Sequence, residues 1–224
     1  MTRADFADVR LGDLLSCDPF TGVRQDSDGG EQIAYVTSAL VAAKEVIEQL
    51  PSDQTRRAPK GRWASFGDVL LQCRGIERRT QVPGAIVKLD ADLAFAESLI
   101  LVRVDPTLAD PDYIRLYLAS ETAGAALAAA ATGTTSTYLR PEALIGLRMR
   151  LPSLETQHEI AGKMHDMQAH LASIEATAET FRDLISAARE GLLTGALRVG
   201  ATEAGPDPRR TGEHRRPAPR VPHR

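Results

Sequence analysis

The chain has 224 residues, 43% hydrophobic and 25% charged, with a formal net charge of −3. Such a composition suits a globular protein with a real core and excludes a disordered chain; no run reaches the roughly 20 apolar residues of a membrane helix. Two cysteines, Cys17 and Cys73, are too few for a disulfide framework, and the N-terminal residues carry no apolar signal core, so the sequence predicts a cytoplasmic protein. In chain order, residues 9–15 form a short apolar–polar element, 21–30 a Gly/Asp/Ser loop and 33–37 a strand. Leu40, Ala43, Ile47 and Leu50 recur at helical spacing and predict a short helix ended by Pro51. Residues 52–61 read as a loop, 69–73 as a strand, 74–83 as a basic loop, and 85–89 and 98–104 as two more strands. Residues 111–131 predict one helix, 132–138 a polar loop, and 144–151 a strand closed by Pro152.

The clearest feature comes last. Ser153 or Thr156 can cap a helix start, and Thr156 with Glu159 fits a capping box. Beyond it Ile160, Met164, Met167, Leu171, Ile174, Ala178, Phe181, Ile185, Ala188 and Leu192 follow one another at alternating steps of four and three. That is an a/d heptad seam, the mark of a coiled coil, and Gly195 is a natural stop. About 35 residues at 1.5 Å each make a rod of roughly 50 Å. Residues 198–224, rich in Arg, Pro and Gly, predict a disordered basic tail. The sequence thus reads as α+β: a globular domain at 1–152, a coiled-coil helix at 153–197, and the tail.

Charge is unevenly distributed. Residues 56–80 carry a net of +5 and residues 198–224 a net of +4, while 1–55 and 81–197 each carry −6. A basic patch of this kind can face phosphates even on an acidic chain. Catalytic signatures are missing: there is no phosphate-binding loop, Gly-x-Gly-x-x-Gly fingerprint, Gly-x-Ser-x-Gly elbow or methyltransferase Pro-Pro-Tyr motif. His158, His165 and His170 fall on the long helix. The first two stand about 10 Å apart along its axis, too far to share a zinc ion, and read as solvated surface. Asp110 and Asp112 read as helix-start residues, and Cys73 as a buried small hydrophobe. No catalytic site and no metal site are expected.

An ordered set of segments carries a resemblance. It comprises Val-Arg-Leu-Gly-Asp-Leu-Leu (9–15), Tyr-Val-Thr (35–37), Gly-Asp-Val-Leu-Leu-Gln-Cys-Arg-Gly (67–75) and Ala-Glu-Ser-Leu-Ile-Leu-Val-Arg-Val (96–104). Pro-Asp-Tyr-Ile-Arg-Leu-Tyr-Leu-Ala-Ser (111–120), Gly133 with its Thr/Ser run, and Leu-Pro-Ser-Leu-Glu-Thr-Gln-His-Glu-Ile (151–160) complete it. In this order, over residues 8–197, they resemble the specificity (S) subunit of type I restriction–modification systems. The resemblance implies a non-catalytic, sequence-specific DNA-binding subunit that directs separate methyltransferase and restriction subunits to a bipartite target. S-adenosylmethionine, ATP and metal would belong to those partners, and this chain would bind no cofactor. A typical member has two recognition domains and two long helices where this chain has one of each, and Thr156 stands where Glu is common. That implies a half-subunit, either a homodimer or paired with a second S-type chain, or else a truncated remnant.

Read physically, double-stranded DNA would be gripped by Lys60, Arg62, Arg74, Arg78 and Arg79. Arginine can hold phosphates or bind guanine bidentately, and Gln72 could address adenine. The hydroxyls of Thr134, Thr135, Ser136 and Tyr138, with Arg140 beyond them, offer further contacts. Antiparallel self-pairing along the seam would carry two readers and demand a split, palindromic target. Two other readings stay open: a truncated S-like protein that docks methyltransferase subunits through its coiled coil without reading DNA, and an enzyme with a dispersed active site.

Overall fold

A computed structural model describes residues 6–24, 30–59, 61–76, 81–133 and 137–197. The elements follow in order. They are β1 (Ala7–Arg10), a 3-10 turn (Leu11–Leu14), β2 (Phe20–Thr21), β3 (Glu31–Val36), α1 (Ser38–Ala43), β4 (Val46–Ile47) and β5 (Thr55–Ala58). Then come β6 (Val69–Gln72), β7 (Gly84–Val87), β8 (Ala94–Phe95), β9 (Leu99–Val102), α2 (Pro111–Leu118), α3 (Glu121–Ala130), α4 (Pro141–Ile145), β10 (Arg148–Leu151) and α5 (Leu154–Leu193). Two compact units result, Met1–Met167 and a second that begins at Gln168.

The first unit is built on a five-stranded mixed sheet in the order β2–β9–β6–β7–β4, with β6 antiparallel to both of its neighbours. Its inner strands are continuous apolar runs because both faces are covered. Successive side chains alternate sides: Val69, Leu71, Ile86, Ile100 and Val102 join one core with Ile114, Leu118, Leu127 and Met149. Leu70, Ala85, Val87, Leu99 and Leu101 join a second with Val36, Val41, Ile47 and Phe95. A three-stranded sheet, β5–β3–β8, and the pair β1–β10 complete the unit. At the entry to β6 the buried Asp68 carboxylate accepts from Arg103 Nε (2.8 Å), Arg103 Nη2 (2.6 Å) and Ser65 N (2.7 Å).

Several local expectations are corrected. The helix expected to run to Leu50 ends at Ala43; Thr37 caps it through a bond from Leu40 N (3.2 Å). Ile47 belongs instead to β4, parallel to β7, where pairing with Val87 buries it completely. The 52–61 loop contains a strand, β5, whose partner β3 supplies its ladder from Glu31↔Ala58 to Ala34↔Thr55. Residues 111–131 form two helices, because the Ser120 hydroxyl accepts from Ala123 N (3.2 Å) and starts α3 afresh. The strand expected at 144–151 is shorter, β10, and the turn α4 precedes it.

Helix α5 spans 40 residues, about 60 Å. Of the two candidate caps Ser153 serves, its hydroxyl accepting from Thr156 N (3.3 Å). Within the first unit Gln157 is only 1% exposed: its Nε2 donates to Pro152 O (2.8 Å) and its Oε1 accepts from Asp110 N (2.9 Å). Asp110 caps α2 through Tyr113 N (2.9 Å) and faces His158 Nε2 at 3.1 Å. His158 therefore has a carboxylate partner, and it is exposed, as are His165 and His170. Along the seam Ile160, Met164, Ala178 and Ala188 are half-buried. Met167, Leu171, Ile174, Phe181, Ile185 and Leu192 stand between 48% and 66% exposed. The helix closes at Gly195 in the left-handed region (φ 75°), with Leu197 N donating to Gly191 O (2.7 Å).

Candidate nucleic-acid interface

Six stretches of chain are stitched together beside the end of β6. Cys73 N donates to Ser98 O (2.9 Å), Leu139 N to Cys73 O (2.8 Å) and Gly75 N to Thr137 O (3.2 Å). Glu97 N donates to Val23 O (3.0 Å), Ala96 N to Val36 O (3.0 Å) and Tyr35 N to Gln54 O (2.9 Å). A fixed backbone framework thus presents side chains from each segment. Over it opens a cleft of about 290 Å³, lined by Tyr35, Thr37, Ser38, Arg56, Arg74, Ala96, Glu97 and Ser98.

Electrostatics in this cleft centre on Glu97. Its Oε1 lies 3.4 Å from Arg74 Nη2 and its Oε2 lies 3.5 Å from Arg24 Nε. The Arg74 guanidinium also sits 5.6 Å from the centre of the Tyr138 ring, and Arg56 covers Tyr35 at 5.5 Å. Cation–π contacts of this kind hold a guanidinium over a ring without consuming its hydrogen-bond donors. Burial pushes the phenols of Tyr35 and Tyr138 upward, so both remain protonated donors. The site offers guanidiniums, hydroxyls and one carboxylate, the groups that bind phosphates and base edges.

Of the residues singled out from sequence, Arg74 lines this cleft and Tyr138 flanks it. Gln72 turns its amide inward: Nε2 donates to Arg74 O (3.1 Å), and Oε1 is buried without a hydrogen-bond partner among the described residues. Arg62 stacks over Phe20 at 5.9 Å, on edge strand β2, and Arg140 is exposed just ahead of α4. Neither is among the cleft-lining residues. Lys60, Arg78, Arg79, Thr134, Thr135 and Ser136 lie outside the described residues. Sequence reasoning missed Arg24, Tyr35, Arg56 and Glu97. Arg56 carried a signal as part of the basic run; Glu97 and Arg24 carried none, because their pairing arises only when the sheets assemble.

Cys73 is a buried hydrophobe, as its context suggested, and burial pushes its thiol up to about 11. Among the described residues no three His, Cys, Asp or Glu side chains cluster to hold a metal ion, and no helix is long and apolar enough to cross a membrane.

No protein-family model matches the chain, and no curated protein matches it in sequence. Solved structures do. A chain from a type I R-M system, whose structure describes complex assembly and conformational transition, aligns at TM-score 0.57 and 20% identity, over 81% of this chain and 43% of that one. The S subunit of a type I restriction–modification system from M. genitalium aligns at TM-score 0.56 and 16% identity, over 87% and 47%. The HsdS subunit from Thermoanaerobacter tengcongensis aligns at TM-score 0.52 and 20% identity, over 77% and 39%. The fold is that of a type I specificity subunit, and the chain spans less than half the length of each of these relatives.

Proposed function

We propose that the chain is a DNA-reading specificity subunit of a type I restriction–modification system, in a form with one recognition domain and one long helix. The observation that carries this reading is the specificity-subunit fold with an arginine-lined cleft set into its first unit. Residues 1–152 form the reader, 153–197 the spacer and pairing helix, and 198–224 a basic tail. Arg56 and Arg74 grip DNA from the cleft. Lys60, Arg62, Arg78, Arg79, Thr134, Thr135, Ser136, Tyr138 and Arg140 extend the contact, while Gln72, its amide turned inward, braces the Arg74 backbone. The chain itself performs no covalent chemistry; methyltransferase and restriction subunits bring S-adenosylmethionine, ATP and metal. Two copies, or this chain and a second S-type chain, pair along the seam from Ile160 to Leu192 and read a split target in the cytoplasm. Co-expression with a DNA methyltransferase encoded beside it, followed by genome-wide mapping of methylated adenines, tests the proposal. The expected result is one bipartite motif; an assembled complex that methylates no defined motif would refute it.

One observation favours the second reading, a docking protein that occupies methyltransferase subunits without reading DNA. Two of the three arginines around the cleft, Arg24 and Arg74, already face a carboxylate. In that case the chain binds the methyltransferase tightly, binds no duplex, and suppresses methylation when overproduced.

A further inference from the structure

We propose that Glu97 is a specificity-determining residue whose carboxylate accepts a hydrogen bond from an exocyclic base amine in the major groove; this rests on the DNA-reading role proposed above. Glu97 lines the cleft with its side chain 40% exposed. Its backbone is pinned on the Val23 carbonyl (3.0 Å), so the carboxylate is presented from a fixed point. A carboxylate in such a place repels phosphates and lowers sequence-independent grip. What it does well is accept from a base donor, the N4 amine of cytosine or the N6 amine of adenine, and reject the O6 and N7 acceptors of guanine.

The flanking arginines leave that capacity in place. At 3.4 and 3.5 Å from Oε1 and Oε2, they stand farther off than the ~2.7–2.9 Å of a tight charge-assisted bond. An ionised carboxylate has about four lone-pair sites, and among the described residues two are approached. Arg74 is held in turn by the Tyr138 ring, so one of the two guanidiniums beside the carboxylate is oriented. On a C·G pair the same arrangement reads both partners: Glu97 takes the cytosine amine while an arginine takes guanine O6 and N7.

The test selects bound duplexes from a random library with the purified full chain and with Glu97→Leu, which removes the charge and both acceptor oxygens; Gln would keep an acceptor able to take a base amine. The wild type is expected to select a motif with one cytosine or adenine at which E97L discriminates about tenfold less, all other positions being retained. E97L also binds random duplex more tightly, with a steeper salt dependence. With wild-type protein, 2-pyrimidinone for that cytosine, or purine for that adenine, removes only the amine and weakens binding about tenfold; the same change costs E97L nothing. The arm that responds identifies the base. If E97L keeps every wild-type preference and gains only affinity, Glu97 is a counter-charge and the inference falls while the DNA-reading role stands. If the wild type selects no motif, both fall. If E97L does not fold, the amine scan decides with wild-type protein alone: no amine dependence anywhere in the motif overturns the inference.

Discussion

Replacing Gln157 by Leu tests how the start of α5 is held within the first unit. The side chain is 1% exposed and makes two bonds, from Asp110 N at 2.9 Å and to Pro152 O at 2.8 Å. Leucine fills a similar volume but strands both backbone groups away from water, at about 1–3 kcal/mol each. The loss is then about 2–6 kcal/mol, a large part of the 5–15 kcal/mol that stabilises a typical domain. At roughly 2–4 °C per kcal/mol for a unit of this size, Tm falls by roughly 4–24 °C. Thermal denaturation followed by circular dichroism at 222 nm, with urea titration as a second probe, measures it. Gln157→Glu keeps the acceptor for Asp110 N but at neutral pH loses the donor to Pro152 O and buries a charge, so it does no better. A Gln157→Leu protein melting within about 2 °C of wild type would show that neither bond matters and that the apolar contact of Ile160 alone seats the helix.

Three further outcomes are expected. Replacing Leu171 and Ile174 together by Asp abolishes association in light scattering, with either a second copy or a methyltransferase. Monomer Tm stays nearly unchanged, since both side chains are more than half exposed; persistence of the assembly would mean that the seam is not the interface. Neutralising Arg74, Arg78 and Arg79 together weakens duplex binding and lowers the slope of log K against log salt by about 2–3, at about 0.9 for each phosphate no longer neutralised. An unchanged slope removes this loop from the reader. Burial holds the Cys73 thiol up to about 11, against an ordinary value of 9.0. The folded chain therefore keeps a proton that the unfolded chain releases. Its contribution to stability is complete below pH 9 and is lost as pH rises to about 11. The urea midpoint of wild type minus that of Cys73→Ala should fall over that window, and a flat difference would contradict the assignment.

What was legible in the sequence follows from where local pattern and tertiary burial agree. Val69–Gln72 and Leu99–Val102 read as strands because both faces are covered and the runs are uniformly apolar. The seam of α5 read as a heptad helix because its repeat runs through the chain without interruption. Short elements failed where tertiary contacts decide. Leu40, Ala43 and Ile47 share a helical spacing, yet Ile47 is taken by the neighbouring strand. Thr55–Ala58 has only Ala58 buried, so no alternation marks it, and its pairing with β3 alone makes it a strand. Ser120 did carry a capping signal that the run of alanines masked. In the cleft, Arg74 announced itself as a cation, but the partners that define its chemistry come from distant segments.

Charge counted along the chain misjudges this surface for the same reason. Arg24 lies in a segment of net −6, and Glu97 in another of −6, while Arg56 and Arg74 share the +5 segment with Asp68, whose carboxylate is already held by Arg103. Folding sets Arg24 and Arg74 against the Glu97 carboxylate and brings Arg56 into the cleft that Glu97 lines, a local net of +2 on a chain of net −3. A phosphate within a Debye length of about 8 Å responds to the local sum, whereas long-range approach at low salt responds to the whole chain. On the DNA-reading role proposed above, the acidic body opposes loose, sequence-blind adsorption while the cleft still engages a duplex pressed against it. A reader built this way derives less of its affinity from counterion release and more from base-edge contact than a uniformly basic one. Its preference for its target over random duplex should accordingly survive an increase in salt that strips a uniformly basic protein from DNA.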